Sequence, residues 1–296
     1  MTEKILIIPH LKVQNANALS SPFTVGFPAM TSWLGCAHAL QRKLNQKSLS
    51  ASFDGIGVVS HKFNLQTYKG PGDYTSSIIV TRNPLTKDGK SPSFIEEARC
   101  HLEVSLIIKV HGIEKSQEND VIKQVSHYLN SQMKVAGGDI LTFEEPKFYR
   151  DLDLIKTKLM PGYALIERRE LMLKAMEQGK DALDAMMDYL AIHHYCEQTE
   201  ENGVKWKKGK KTNGWIIPIA TGFQGISELG KAVNQRDPDV PHRFAETIVT
   251  LGEFKMVYRL NHFREIFWHY SYDEDNNLYF CQQSKKTDSG VLEEGF

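Results

Sequence analysis

Between an apolar stretch, Ile5 to Ile8, and the segment Gly26 to Gly35 that opens a helix lies a run of residues suited to holding phosphates and bases: Lys12, Gln14, Asn15, Asn17, Ser20 and Ser21. Amides and hydroxyls delivered to one helix start suit phosphate and sugar oxygens. Gln14, Asn15, Asn17, Ser20 and Ser21 do not titrate near neutral pH, so the run does not suit acid–base catalysis. Asn and Ser are also common turn residues for local hydrogen-bonding reasons, and that reading stands beside the first. A second group is Lys205-Trp206-Lys207-Lys208-Gly209-Lys210-Lys211, with five lysines in seven residues. It reads either as a solvated loop or as a phosphate clamp whose Trp206 can stack on a base. Such a clamp would raise affinity and salt dependence without reading sequence.

Histidines are the other candidate chemistry. His10, His38, His61, His101 and His111 fall in the first half of the chain, and any could serve as a base in metal-free RNA cleavage. None has a recognisable partner acid in the sequence. His193 and His194 are adjacent and point to different helix faces, and no second ligand pair accompanies them, so no metal site is expected. Cys36, Cys100, Cys196 and Cys281 form no CxxC pair, and free thiols are expected rather than zinc or disulfides. No G-x-S-x-G, H-E-x-x-H or Walker motif occurs, Gly222-Phe223-Gln224-Gly225 signals only a tight turn, and no cofactor is implied.

The chain has 296 residues, 41% hydrophobic and 24% charged, as an ordinary soluble protein does. No apolar run approaches the ~20 residues of a membrane span. Residues 1–9 lack a signal-peptide pattern, so a cytoplasmic protein with no membrane partner is expected. Net charge is zero, which argues against a generic DNA coater. Residues 1–70 nevertheless carry a net +5 and residues 170–201 a net −6. A basic face for nucleic acid and an acidic face for a protein would produce that split, and so would chance unevenness.

The elements that must position these residues follow from periodicity. Strands are expected at Lys4–Ile8, Ser52–Ser60, His101–His111 and from Asp139 to Phe143. Helices are expected at Thr31–Gln46, with Thr31 or Ser32 as the cap, and at Gln117–Met133. Strand, helix, strand, strand, helix, strand is the split β-α-β order, so the fold class is α+β with a ferredoxin-like (RRM-type) core over residues 1–150. A four-stranded sheet of this kind is a common RNA platform, though fold alone proves no function. Turn signals across 61–99, with a strand at Tyr74–Thr81, suggest a projecting arm. Residues 151–296 read as a C-terminal helical and β extension packing on the core. Within it, 154–196 look helical, with an apolar stripe of Leu183, Met186, Met187 and Leu190. Phe244–Leu260 reads as a helix or strand pair, and 283–296 as a loose tail.

Longer strings carry a resemblance. Leu11 to Pro22, Gly26-Phe27-Pro28, His38 to Leu44, Gly55 to Val59, Thr81-Arg82-Asn83-Pro84 and Glu97 to Leu106 together resemble the small-tail subunit of the type I-F CRISPR surveillance (Csy) complex. The resemblance covers essentially the whole chain and is densest over residues 5–110. It implies a non-catalytic subunit that pairs with the large tail subunit. Together they would hold the 5′ handle of the CRISPR RNA and cap the filament beside the first backbone subunit. Target double-stranded DNA would be met through the assembled complex. On this reading Asn15, Asn17, Ser20 and Ser21 meet handle bases or phosphates, with Lys12 and Gln14 beside them. Arg42, Lys43 and Lys62 are sheet-edge phosphate contacts, and the arm with Tyr74 and Arg82 covers or kinks the guide. The acidic helices face protein, and Lys205–Lys211 touch guide or target. Related subunits of another subtype process precursor RNA, so a metal-independent endoribonuclease is the alternative.

Overall fold

The computed structural model describes residues 4–78, 85–91, 97–198, 204–235 and 237–283. The chain opens with β1 (Lys4–Asn17), a small hairpin of β2 (Leu19–Ser21) and β3 (Thr24–Val25), α1 (Met30–Asn45) and β4 (Ser52–Leu65). Then come an arm hairpin of β5 (Thr67–Tyr68) and β6 (Ser77–Ile78), β7 (Arg99–His111), α2 (Glu118–Ser131), β8 (Lys134–Val135), β9 (Gly138–Thr142) and β10 (Lys147–Tyr149). In the second half lie α3 (Leu152–Lys158), β11 (Tyr163–Glu167), α4 (Arg169–Glu177), α5 (Ala182–Leu190), and a hairpin of β12 (His193–Gln198) and β13 (Val204–Gly209). The last strands are β14 (Trp215–Gly225), β15 (Ala245–Met256), β16 (Trp268–Asp273) and β17 (Leu278–Gln283).

The architecture is α+β, built on one large antiparallel sheet. In its first half the strands stand in the order β9-β1-β7-β4, each neighbour antiparallel. Strand alternation sends Leu6, Ile8, Val58, Leu106 and Ile108 to one face, where they pack under Trp33, Leu40 and Leu44 of α1 and Val121, Val125 and Leu129 of α2. Ile5, Ile7, Val59 and Ile107 go to the other face, beneath Ile155, Leu159 and the apolar residues of 257–267. At ~1.5–3 kcal/mol per buried side chain, both layers contribute to holding the sheet. The sheet is therefore sandwiched at one end and open at the other, and only the open end can serve as a platform. Beyond β4 the strands β16, β17, β14, β15 and β11 return to β4, closing a six-strand circuit. Closure removes sheet edges that would otherwise invite pairing with other chains. Trp268, fully buried, donates its indole N–H to the Leu165 carbonyl across that circuit (2.9 Å).

Several expectations are corrected. The first strand does not stop at Ile8 but runs to Asn17, because a bulge absorbs Pro9 and His10: Ile8 pairs with Leu106 and Leu11 with Val104. A second bulge follows between Val13 and Ala16, and His10 and Asn15 take positive φ (46° and 57°) at the two bulges. β4 likewise continues past Ser60, through a bulge between Ser60 and Lys62, to Leu65. Neither Thr31 nor Ser32 caps α1. Ala29 holds the cap position without a side-chain bond, and Trp33 Nε1 anchors the entry by donating to the Pro28 carbonyl (3.2 Å). Residues 154–196 are not continuously helical: Tyr163–Glu167 is a strand paired with β15, and His193–Gln198 is half of an exposed hairpin. In both, pairing with a neighbouring strand outweighs local helical spacing. Phe244–Leu260 contributes one strand and a short 3-10 turn, not a pair. In the apolar stripe Met186 is buried, while Leu183 and Met187 are exposed. Of the strand expected at Tyr74–Thr81, only Ser77–Ile78 is a described strand; residues 79–84, Arg82 among them, and the tail 284–296 lie outside the described residues.

Candidate nucleic-acid interface

The open end of the sheet is polar because alternate residues of three strands face away from the helices. β1 contributes Lys12 and Gln14, β4 contributes Lys62 and Asn64, and β7 contributes His101 and Glu103. Register fixes the rows: Lys12 stands opposite Glu103 on one side of β7, and Lys62 stands opposite it on the other. With Leu141 of β9 these residues line a shallow groove of about 280 Å³. Burial alone would raise the pKa of Glu103, but its bond to His10 and the charges of Lys62 and Lys12 outweigh that and hold the carboxyl below the usual range. Glu103 accepts from His10 Nδ1 (2.8 Å) and pairs with Lys62 Nζ (3.4 Å). The Lys62 side chain stays 78% exposed, so it remains accessible to solvent or a ligand.

Where the groove meets the sandwiched end, two bulges flank β7 at one level and bring His10 and His61 together. Their rings stack with centroids 4.3 Å apart. His61 Nδ1 donates to the Pro161 carbonyl (2.7 Å), so its Nε2 accepts from the Ser105 hydroxyl (2.8 Å). The Ser105 oxygen in turn accepts from the His10 backbone N–H (3.2 Å). Burial pushes the His61 pKa down, which keeps the ring neutral. This corrects the expectation that no histidine has an acid partner: Glu103 serves His10, and Asp54 serves His111 (2.7 Å). The arrangement superficially resembles a nucleophile and base. Ser105 is only 1% exposed, however, so no substrate reaches it.

At the far end of the groove, Asn15 sits on its bulge. Its backbone N–H donates to His101 Nδ1 (3.2 Å), and the Gln66 side chain bridges Asn15 Oδ1 (2.7 Å) and His101 Nε2 (3.0 Å). Arg99 reaches the Asn15 carbonyl (3.5 Å).

The other expected residues distribute as follows. Lys12 and Gln14, beyond the expected end of the first strand at Ile8, are strand residues that line the groove. Asn17 turns back on Leu19 through both ends of its amide (3.0 and 3.1 Å). Ser20 and Ser21 both bond Thr24 Oγ1 inside the β2–β3 hairpin, and Ser21 is buried. That hairpin packs against β14 rather than at a helix start. Arg42 and Lys43 ride the last turn of α1, on the far side of the sheet from Lys62, so they are not sheet-edge groups; Lys43 donates to Gln132 (2.8 Å). Tyr74 is 97% exposed in the arm. Lys205, Trp206, Lys207 and Lys208 lie on β13, an exposed hairpin strand, with Lys210 and Lys211 just beyond it. Lys207 pairs with Glu197 (2.5 Å) and Lys211 with Asp188 (2.9 Å), while Lys205, Lys208 and Lys210 have no ion pair among the described residues. Asn64, Gln66 and Glu103 are not singled out by residue type or spacing; the alternation of β7 and the continuation of β4 past Ser60 are the signals that point to them.

Among the described residues, no group of three or more His, Cys, Asp or Glu side chains is placed to hold a metal ion. All four cysteines are free thiols. No helix among the described residues is long and apolar enough to cross a membrane.

The fold and groove thus define an α+β protein with a polar, lysine-flanked patch on one end of an antiparallel sheet. Residues 6–281 match the family model described as CRISPR-associated protein (Cas_Csy2). The chain is also 32% identical, over 94% of its length and 94% of the relative's, to CRISPR-associated protein Csy2 of Pseudomonas aeruginosa (strain UCBPP-PA14). The chain belongs to the Csy2 family of CRISPR-associated proteins, in agreement with the CRISPR type I-F, Csy reading of its sequence.

Proposed function

We propose that this chain is a non-catalytic, RNA-holding subunit of a type I-F Csy surveillance complex. As the smaller of two tail subunits, it binds the 5′ handle of the CRISPR RNA together with the large subunit. It also caps the backbone filament beside the first backbone subunit and so supports recognition of foreign double-stranded DNA. The observation that carries this reading is the groove in which Lys12 and Lys62 flank Gln14, Asn64 and His101 on the exposed end of the sheet. Lysines give a phosphodiester its counter-charge, and the neutral groups between them can bond bases or riboses. The order β9-β1-β7-β4 with both helices on one face supports reading this half as a split β-α-β, ferredoxin-like core. After Lys12 and Gln14, which line the groove, Asn15, held by His101, Gln66 and Arg99, is the member of the polar run nearest to it; Asn17, Ser20 and Ser21 would act through hairpin shape. The Tyr74 arm would lie over the guide. The acidic α4–α5 region would face protein, with Asp188 already answered by Lys180 and Lys211. Lys205, Lys208 and Lys210 with Trp206 would meet the phosphates of guide or target.

A metal-independent endoribonuclease is the second reading, favoured by one observation: His10, 30% exposed, stands against Glu103 beside the groove. One experiment separates the two. The chain is coexpressed with the large subunit, and a labelled handle RNA is titrated by anisotropy at two salt concentrations. The same samples are run on a gel. Tight binding with intact RNA supports the holding subunit. Cut RNA, lost with His10→Ala, would establish the nuclease, and no binding would leave neither.

A further inference from the structure

On the other side of the β4 edge from the groove lies a cavity of about 460 Å³ that the groove does not use. That volume falls in the ~300–1,000 Å³ range of small-molecule sites. Its lining is aromatic. Phe27 and Phe254 form a buried floor, in edge contact at 5.1 Å, while Phe63 (40% exposed) and Trp215 (54% exposed) stand at the mouth beside Tyr163. Trp215 contacts Tyr163 (5.8 Å) and Phe254 (5.3 Å), so the rings form one connected wall. Lys62 borders both the groove and this cavity. β11 pairs with β4 only at Val59 and Ser60, so among the described residues β4 has no strand neighbour on that side from His61 to Leu65. A chain can therefore cross the β4 edge at this point.

We propose that the cavity takes one unstacked nucleobase from a single-stranded RNA whose backbone crosses the β4 edge at Lys62. The inference rests on the RNA-holding reading above. Three features favour a base over an apolar protein side chain. The lining is rich in aromatic rings, the groups on which unpaired bases stack. The mouth carries an exposed ammonium suited to the adjoining phosphate. The cavity also shares Lys62 with the polar groove. Aromatic stacking recognises any base, so the pocket would fix the register of the strand rather than its sequence.

The test uses the complex with the large subunit and the RNA that copurifies with it, sequenced and remade with one abasic nucleotide at a time. Wild type and Trp215→Ala are titrated against each RNA, with Phe63→Leu as a second variant; both positions are exposed enough to change without unfolding the chain. The expected result is one position where removing the base weakens binding about tenfold. Trp215→Ala should weaken binding to intact RNA by about the same factor and add nothing at that abasic position. Intact RNA binding with strictly additive losses at every position would overturn the pocket and leave the RNA-holding reading standing. Loss of the large subunit with Trp215→Ala, without coupling to any base, would overturn it in favour of a protein side chain. Failure of wild type to bind RNA would overturn both.

Discussion

His10 and His61 stack face to face, 28° from parallel, although they come from different strands on opposite sides of β7. Each sits at a bulge, and each bulge lies at the level of Ser105, whose hydroxyl joins the two residues. Two irregularities matched across a central strand place a hydrogen-bonded knot where the dry end of the sheet becomes wet. Bulges commonly re-aim side chains in this way.

Stability should fall as the pH drops below about 6.5, the ordinary histidine value. Burial lowers the folded-state pKa of His61, so the unfolded chain takes up the proton first. Between the two values the unfolded state binds more protons, and stability rises with pH. His38, lowered by burial and by Arg42, acts in the same direction. Thermal unfolding from pH 7.5 to 5 should show the loss, and His61→Asn should flatten it without abolishing it. An unchanged slope would mean His61 is not a source of the pH dependence.

Lys12→Ala and Lys62→Ala should each weaken RNA binding. Each should also lower the slope of log affinity against log salt, by about 0.7 for every phosphate of a single strand that the variant leaves without its counter-charge. Lys207→Ala should do less than Lys208→Ala, because Glu197 already neutralises Lys207. Anisotropy titrations at four salt concentrations read both quantities. Equal slopes for wild type and the Lys62 variant would remove Lys62 from the interface.

Gly138→Ala should be destabilising although the change is a single methyl. A Cβ at Gly138 would lie 2.6 Å from the Gln14 carbonyl oxygen and 2.7 Å from the Ala16 amide nitrogen, both backbone atoms that cannot rotate aside. A cost of ~1–3 kcal/mol is expected in urea unfolding. Because the clash falls on the Asn15 bulge, RNA affinity should drop as well, whereas Gly35→Ala, inside α1 with open space around its Cβ position, should stabilise the chain by up to ~1 kcal/mol and leave RNA affinity unchanged.

Thiol labelling should single out one cysteine. Burial pushes Cys36, Cys100 and Cys281 up to about 12, and all three are buried, while Cys196 is exposed on β12. Iodoacetamide at pH 8, followed by peptide mapping, should modify Cys196 alone until denaturant is added. Fast modification of Cys36 in the native protein would contradict the packing of α1.

The elements with long, regular apolar spacing are legible in the sequence. Trp33, Leu34, Ala37, Leu40 and Leu44 are all buried on α1, as their spacing implies. β7 is legible because it alternates without interruption. β1 is not, because Pro9 breaks the pattern and reads as a stop, whereas the strand accommodates it in a bulge and resumes with Leu11, Lys12, Val13 and Gln14. The candidate site is half legible for the same reason. Residue type marks Lys12, Gln14 and Asn15, but ending the first strand at Ile8 hides their partners on β4 and β7. Glu103 and Asn64 become neighbours of Lys12 and Gln14 only through long-range pairing, which no local pattern encodes. The closed circuit of C-terminal strands depends on pairings between residues such as Ile56 and Trp268, far apart in the chain.

The two bulges of β1 also decide where this strand can change length. Leu6 and Ile8 face the helices on even positions, Leu11 and Val13 on odd ones, and Ala16 on an even one again. Each bulge spends one extra residue, and that residue is what shifts the parity. Deleting His10 would therefore restore plain alternation through this point. Leu11 and Val13 would stay in the core and Lys12 in the groove, and the loss would be His10 itself, with its stack on His61 and its bonds to Glu103 and Ser105. Deleting Lys12 instead would leave Leu11 and Val13 adjacent in the chain, so one of them must turn away from the helices. Shortening is thus cheapest at the two positive-φ residues and costly between them. Among relatives of different length, single-residue gaps in this strand should fall at His10 and Asn15, where the price is a site and not the sheet.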